Sequence, residues 1–176
     1  MTPSDADASE APATTGSLIS PAEATMDLEF RPTQLTEARI QMLRAVTGKD
    51  QPFAADVLSG RVKFRECVHD GRVVGHCIGN SATGEIIGLS VDQSYRRQGI
   101  ARKLLSLVVD LLLADGVQRI WLEAPSDSTL PAYRFYRALG WQPTGQHLAD
   151  GIEIIELPIT NGGNPMAAAP QISPPP

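Results

Sequence analysis

Arg96, Gly99 and Ala101 write the pattern R-x-x-G-x-A in a chain of 176 residues, and Arg97, Arg102 and Lys103 crowd three more cations around it. Together these residue types suit an anion. Gly99 lets main chain approach a ligand with no Cβ in the way, and Ala101 keeps the following turn slim. The dinucleotide fingerprint G-x-G-x-x-G is absent, as is the nucleotide loop G-x-x-x-x-G-K-[ST], so the two commonest nucleotide-binding loops are excluded. A phosphate group remains the guest that fits. The alternative use of Arg96 and Arg97 is a solvated cationic loop.

The flanking elements explain how such a loop would be held. Upstream, Ile86, Ile87, Leu89 and Val91 form a short apolar run, rich in β-branched residues, with no charge after Glu85. That composition predicts a buried strand over 85–91. Downstream, Ile100, Leu104, Leu105, Leu107, Val108, Leu111 and Leu112 recur at helical spacing, and Asp115-Gly116 supplies a stop. A strand feeding through a loop into a helix presents unpaired N–H groups and the positive end of the helix dipole. The junction is an anion site by construction.

At this point the sequence resembles the GNAT superfamily of acyl-CoA-dependent N-acyltransferases, whose signature [QR]-x-x-G-x-[GA] lies between a strand and a helix. A second block, Ala132-Tyr133-Arg134-Phe135-Tyr136-Arg137-Ala138-Leu139-Gly140-Trp141, is similar to the superfamily's A-x-x-[FL]-Y-x-x-x-G-[FW] helix. The resemblance implies that Leu89, Ser90 and Val91 pair their backbone with the pantetheine arm of coenzyme A. It further implies that Arg97, Gln98, Gly99, Ile100, Ala101 and Arg102 hold the pyrophosphate, mainly through main-chain N–H groups, with Arg96 or Arg97 adding a side chain. Tyr136 matches the tyrosine that donates a proton to the coenzyme sulfur; its other use is packing on the sheet beside Phe135. Glu123 and Glu85 each match a position from which family members drain the proton of the attacking amine, and simple solvation is the alternative for both. Thr129 stands where the family often has Asn contacting coenzyme A, and Thr can still donate one hydrogen bond.

Composition bounds the rest. A chain this long suits one domain with a real core, and 42% apolar residues is ordinary. The formal charge of −5 divides unevenly. Residues 1–25 carry Asp5, Asp7, Glu10 and Glu23 with no Lys or Arg, which leaves 16 acidic and 15 basic residues in 26–159. A nearly neutral domain argues against a broad nucleic-acid footprint. No run of about 18 apolar residues spans a membrane, and no basic, apolar leader opens the chain, so the expectation is a cytoplasmic protein. Cys67 and Cys77 read as small buried hydrophobes, and His69, His76 and His147 lack metal-ligand spacing, so no metal is expected.

In chain order, residues 1–25 read as a disordered acidic arm and 160–176 as a disordered proline-rich tail, since neither offers enough apolar surface to offset its ordering entropy. Between them, Leu28–Arg31 predicts a first strand, 33–48 a helix capped near Thr33 or Thr36, and Ala54–Leu58 a helical turn. Val62–Val68 and Val73–Gly79 flank a tight turn at His69-Asp70-Gly71-Arg72, a hairpin signal. Arg119–Glu123 is another strand, parallel to the central one across a right-handed crossover. Ala132–Leu139 is a helix, and Trp141–His147 with Ile152–Leu157 a last hairpin. The expected fold is α/β: a mixed, mostly antiparallel sheet, splayed at its one parallel pair, with helices on both faces, as in the GNAT fold.

The resemblance implies direct transfer of an acetyl group from acetyl-CoA to an amine of a small molecule or peptide in a ternary complex, and it allows a homodimer. Two other functions stay open: a non-catalytic acyl-CoA-binding regulatory module, and a toxin acetylating aminoacyl-tRNA, which the neutral domain does not favour.

Overall fold

The computed structural model describes residues 26–33, Thr36, Gln41, 53–148, 151–159 and 165–166. The expected helix over 33–48 and the arm over 1–25 therefore lie outside the described residues, apart from Thr33, Thr36 and Gln41. The elements are β1 (Glu29–Pro32), α1 (Phe53–Leu58), β2 (Val62–His69), β3 (Arg72–Asn80), β4 (Glu85–Val91), α2 (Ile100–Ala114), β5 (Ile120–Pro125), α3 (Pro131–Ala138), β6 (Gln142–His147) and β7 (Ile152–Leu157).

They build one seven-stranded sheet in the order β1-β2-β3-β4-β5-β7-β6, and among the described strands only β4 and β5 run parallel. The last hairpin enters the sheet through its second strand, so β7 pairs with β5 and β6 forms the edge. Edge position leaves every residue of β6 exposed. Trp141, read from the sequence as the first residue of that strand, instead precedes it and is fully buried. Its neighbours in the core are worth more to an indole than a place on a wet edge strand.

The helical period from Ile100 holds for five of its seven positions, while Leu107 and Leu111 are only half-buried and Val109, outside that set, is fully buried. Ile100, Leu104, Leu105, Val108, Val109 and Leu112 are all buried against the sheet. Gly75 and Gly79 of β3 make room for them: a Cβ on Gly79 would stand 2.7 Å from Val108 Cγ1, and one on Gly75 3.2 Å from Leu104 Cδ1. Helix and sheet backbones therefore close to a distance that side chains would forbid. The opposite face carries a smaller cluster, Val62, Phe64 and Ile78 with Val57 of α1. There Asp56 of α1 accepts hydrogen bonds from Asn80 Nδ2 at 2.8 Å and Arg61 Nε at 2.9 Å. These bonds, led by that from Asn80, hold the Asp56 carboxyl below its ordinary pKa against the opposing effect of burial.

The C-terminal tail departs from expectation at the two residues described there. Met166 is 2% exposed and joins the main core cluster. A composition that is poor in apolar residues on average still holds one flexible thioether able to fill a gap.

Candidate active site

Strand β4 has two different edges. Toward β3 it is paired from Glu85 to Val91. Toward β5 the register contains one pair, Glu85 with Trp121, and beyond it the strands part. Backbone groups of β4 past that point face a cleft, where a ligand can pair with them.

A cavity of about 720 Å³ opens at this end of β4. Its walls gather Leu89, Ser90, Val91, Arg96, Arg97, Gly99, Ala101, Arg102 and Tyr136, nine of the residues singled out in the sequence. Gln98 is not among them and is exposed. Ile100 turns its side chain into the core at 2% exposure, leaving only its N–H for the loop. Thr129 is not among the lining residues either: its hydroxyl donates to Asp127 Oδ1 at 2.7 Å, in a turn where its N–H bonds the same oxygen at 2.8 Å. A hydroxyl has one proton to give, and this one is given locally.

Tyr95, Leu130, Pro131, Ala132 and Phe135 complete the walls; Ala132 and Phe135 belong to the second motif block, and the sequence singled out none of the five as a site residue. The aromatic pair Phe135-Tyr136 was a usable signal, since adjacent aromatics on a short helix need a surface to cover. Nothing in the spacing of Tyr95 indicated it.

The loop itself is bent in two places where L residues rarely go. Arg97 has φ 64° and Gly99, the N-cap of α2, has φ 78°. Left-handed residues at a helix start turn successive N–H groups inward, making a concave anion seat. No side chain caps the first turn, and the nearest backbone bond to the cap is from Lys103 N–H to Gly99 O at 3.0 Å. A Cβ on Gly99 would meet no protein atom within 4 Å, so the space beside it is open. Arg96 folds back, its Nε donating to Val91 O at 3.2 Å. Arg102 lies 3.5 Å from the carbonyl of Met166, which brings the C-terminal tail to the wall of the cavity.

Tyr136 lines the same cavity as the loop. Its ring meets Phe135 edge-on at 5.1 Å and Trp141 at 5.9 Å, which fixes its plane. Burial, and secondarily the nearby Cys77 thiol, push its pKa up to about 12. The phenol therefore stays protonated throughout the working range. Cys77 and Cys67 are buried free thiols, both shifted upward by desolvation.

Glu123 and Glu85 lie on the other side of the sheet. Leu122 and Ala124 belong to the core beneath α2 and α3, so by strand alternation Trp121 and Glu123 face away from it. Glu85, opposite Asn80 and level with Trp121, shares that outer face. Glu123 is exposed, whereas Glu85 is 9% exposed. Counting along the strands, Glu123 lies about 7 Å nearer the mouth of the cleft than Glu85 does. Neither lines the cavity.

A family model described as acetyltransferase (GNAT) family matches residues 34–141. The chain belongs to the GNAT family of acetyltransferases. Over 131 residues, 68% of this chain and 86% of the relative, it is 28% identical to the ribosomal protein bS18 alanine N-acetyltransferase of Escherichia coli K12. A 56-residue stretch is 34% identical to the enzyme of that name in Haemophilus ducreyi, covering 32% of this chain and 38% of the relative. Among solved structures, the ribosomal-protein-S18-alanine N-acetyltransferase from Escherichia coli shares the fold with a TM-score of 0.53 at 22% identity, over 77% of this chain and 97% of that one. A paia N-acetyltransferase from Thermoplasma acidophilum, crystallised with coenzyme A, does so with a TM-score of 0.57 at 13% identity, over 75% and 98%. In this GNAT protein the concave N–H seat, its cations and the open space at Gly99 fit the pyrophosphate of coenzyme A. Among the described residues no cluster of three or more His, Cys, Asp or Glu could hold a metal, and no helix is long and apolar enough to cross a membrane.

Proposed function

We propose that the chain acetylates the α-amine of a peptide or protein N-terminus by direct transfer from acetyl-CoA, with Tyr136 as acid and Glu123 as base. Acetyl transfer from acetyl-CoA to an amine is the family's activity, and the coenzyme supplies the acetyl thioester. The observation that carries this reading is the parting of β4 and β5 beyond the Glu85–Trp121 pair, which leaves a cleft reached from both faces of the sheet. Tyr136 stands on one face and Glu123 on the other.

Each residue's task follows from its place. The loop from Arg96 to Arg102 anchors the pyrophosphate, and the free edge of β4 at Leu89, Ser90 and Val91 aligns the arm so that the reacting carbon is fixed relative to both faces. Glu123, exposed at the cleft, takes the ammonium proton through water, which leaves a neutral amine to attack. An N–H of Leu89 or its neighbour receives the negative charge that gathers on the acetyl oxygen. Tyr136, protonated and desolvated, gives its proton to the departing sulfur as the C–S bond breaks, and the second proton leaving the nitrogen restores the phenol through solvent. Glu85 is deeper and nearly buried, which suits it to holding the outer face rather than exchanging protons with solvent. The acceptor class rests on the curated relatives, whose names specify the alanine of a ribosomal protein.

The test is a panel assay with acetyl-CoA in which released coenzyme A and acetylated product are both measured. A peptide with a free N-terminal alanine should be modified, and the same peptide with a blocked N-terminus and an internal lysine should not. Turnover confined to small amines would overturn the acceptor class, and binding without release of coenzyme A would identify a non-catalytic module.

A further inference from the structure

The left-handed residues of the coenzyme loop have a consequence. A non-glycine residue such as Arg97 at φ 64° costs free energy and persists only where its surroundings hold it there. The loop's own first turn has no side-chain cap. The holding contacts come from the tip of the β2–β3 hairpin.

Three bonds tie that tip to the residues entering the loop. His69 Nδ1 lies 3.0 Å from the hydroxyl of Tyr95, with the two rings edge-on at 5.5 Å. Arg72 Nη2 reaches Asp92 Oδ2 at 2.7 Å, and the Asp92 N–H donates to Val74 O at 2.8 Å. Asp92 and Tyr95 are the two ends of one tight turn, closed by Tyr95 N–H to Asp92 O at 2.9 Å. The hairpin is a firm support, because Asp70 and Gly71 both take left-handed φ, 49° and 74°, as a two-residue turn matching strand twist requires.

The three bonds are unequal. Arg72 and Asp92 are 70% and 40% exposed, so salt and water weaken their pairing. The His69 side chain is 19% exposed and meets a hydroxyl whose ring is a wall of the cavity. Packing alone would be served as well by phenylalanine at position 95; the hydroxyl is used on His69.

We propose that His69 is a positioning residue for coenzyme binding, acting through Tyr95 to hold the turn from which the pyrophosphate loop springs. The proposal rests on the reading of this cavity as the acetyl-CoA site. Losing one shielded hydrogen bond at a site that must keep its shape should weaken acetyl-CoA by about 2- to 10-fold. His69 is not among the residues that line the cavity, so kcat at saturating acetyl-CoA should not move in a His69 variant.

A double-mutant cycle on acetyl-CoA affinity, measured by calorimetry, tests this with His69→Phe, Tyr95→Phe and the pair. Each single change should raise Kd by the stated factor, and the pair should do no more than one alone, because both remove the same bond. His69→Asn, which keeps a hydrogen-bonding atom near Nδ1, should recover affinity, and an effect on folding alone would not. Additive losses, or a Kd unchanged in Tyr95→Phe, would overturn the proposal. If His69→Phe does not fold, Tyr95→Phe, which deletes a single oxygen, decides alone. Failure of the unaltered protein to bind acetyl-CoA would remove the reading of the cavity itself.

Discussion

Glu85 stands in register with Trp121, and that pair is the only one joining β4 to β5. Trp121 fastens the junction further: its N–H donates to Gly84 O at 3.0 Å and its indole Nε1 to Thr83 O at 2.9 Å. Beyond this point each strand has a partner on its outer side, β3 for β4 and β7 for β5, and the β3–β4 register shifts between Ile78 and Gly79. The cleft exists because the sheet is pinned at one level and left open above it.

Gly84 makes the pin possible. It sits at φ 72°, and a Cβ there would fall 1.9 Å from Arg119 O. Gly84→Ala should lose about 1–3 kcal/mol from the left-handed backbone alone, with the clash adding to it. A urea midpoint equal to that of the unaltered protein would show that β5 moves aside freely.

Tyr136→Phe keeps the ring contacts with Phe135 and Trp141 but removes the proton. Turnover should fall roughly 10- to 1000-fold, the scale of a positioned general acid. Acetyl-CoA affinity should hardly change, so kcat and kcat/KM fall together where chemistry limits the rate. The raised pKa, about 12, adds a sign that can be checked. The stability linked to this group is fully present below the unfolded tyrosine value, near 10, and is lost as pH rises through the folded value. The alkaline loss of stability should therefore be smaller in Tyr136→Phe, as followed by thermal melts at rising pH.

Glu123→Gln should depress turnover at neutral pH and partly recover as the amine deprotonates unaided at higher pH. Glu85→Gln should leave that pH profile in place. A shared response of both variants, measured as kcat/KM for the amine against pH, would mean that the two carboxylates act as one relay.

Gly99→Val forces a β-branched residue into a φ of 78° at the start of α2. The protein should remain folded, since no protein atom lies within 4 Å of the new Cβ, yet the seat for the pyrophosphate should be lost. Acetyl-CoA should raise the melting temperature of the unaltered protein, ATP should not, and Gly99→Val should respond to neither. Equal stabilisation of the unaltered protein by ATP would refute the specificity of the loop.

Met166 sets the two ends of the chain apart. Met166→Ala should cost about 2–5 kcal/mol, the range for emptying a buried methionine site. Through the 3.5 Å approach of its carbonyl to Arg102, truncation after Ile159 should also weaken acetyl-CoA. Removing residues 1–25 should change neither. Equal melting temperatures for full-length and C-terminally truncated protein would show that Met166 contributes nothing.

The sequence by itself determined most of the described elements and the strand-to-helix junction from Arg96 to Ala101, because both depend on neighbours in the chain. The apolar run over Glu85–Val91, the helical period from Ile100 and the stop at Asp115-Gly116 are local signals, and R-x-x-G-x-A spans a single strand-to-helix junction. The resemblance marked Tyr136, Glu123 and Glu85 as candidates, though no spacing could say on which face of the sheet each would stand. Tertiary structure alone decided that, since side-chain direction follows from register and register from partners far along the chain. It also bonded the Thr129 hydroxyl to Asp127, and placed Tyr95 in the cavity wall with its hydroxyl 3.0 Å from Nδ1 of His69, 26 residues earlier. Met166 shows the same limit most plainly. Average composition describes what a segment can bury in solution, whereas a vacancy of the right shape in a distant core decides what one of its residues does bury.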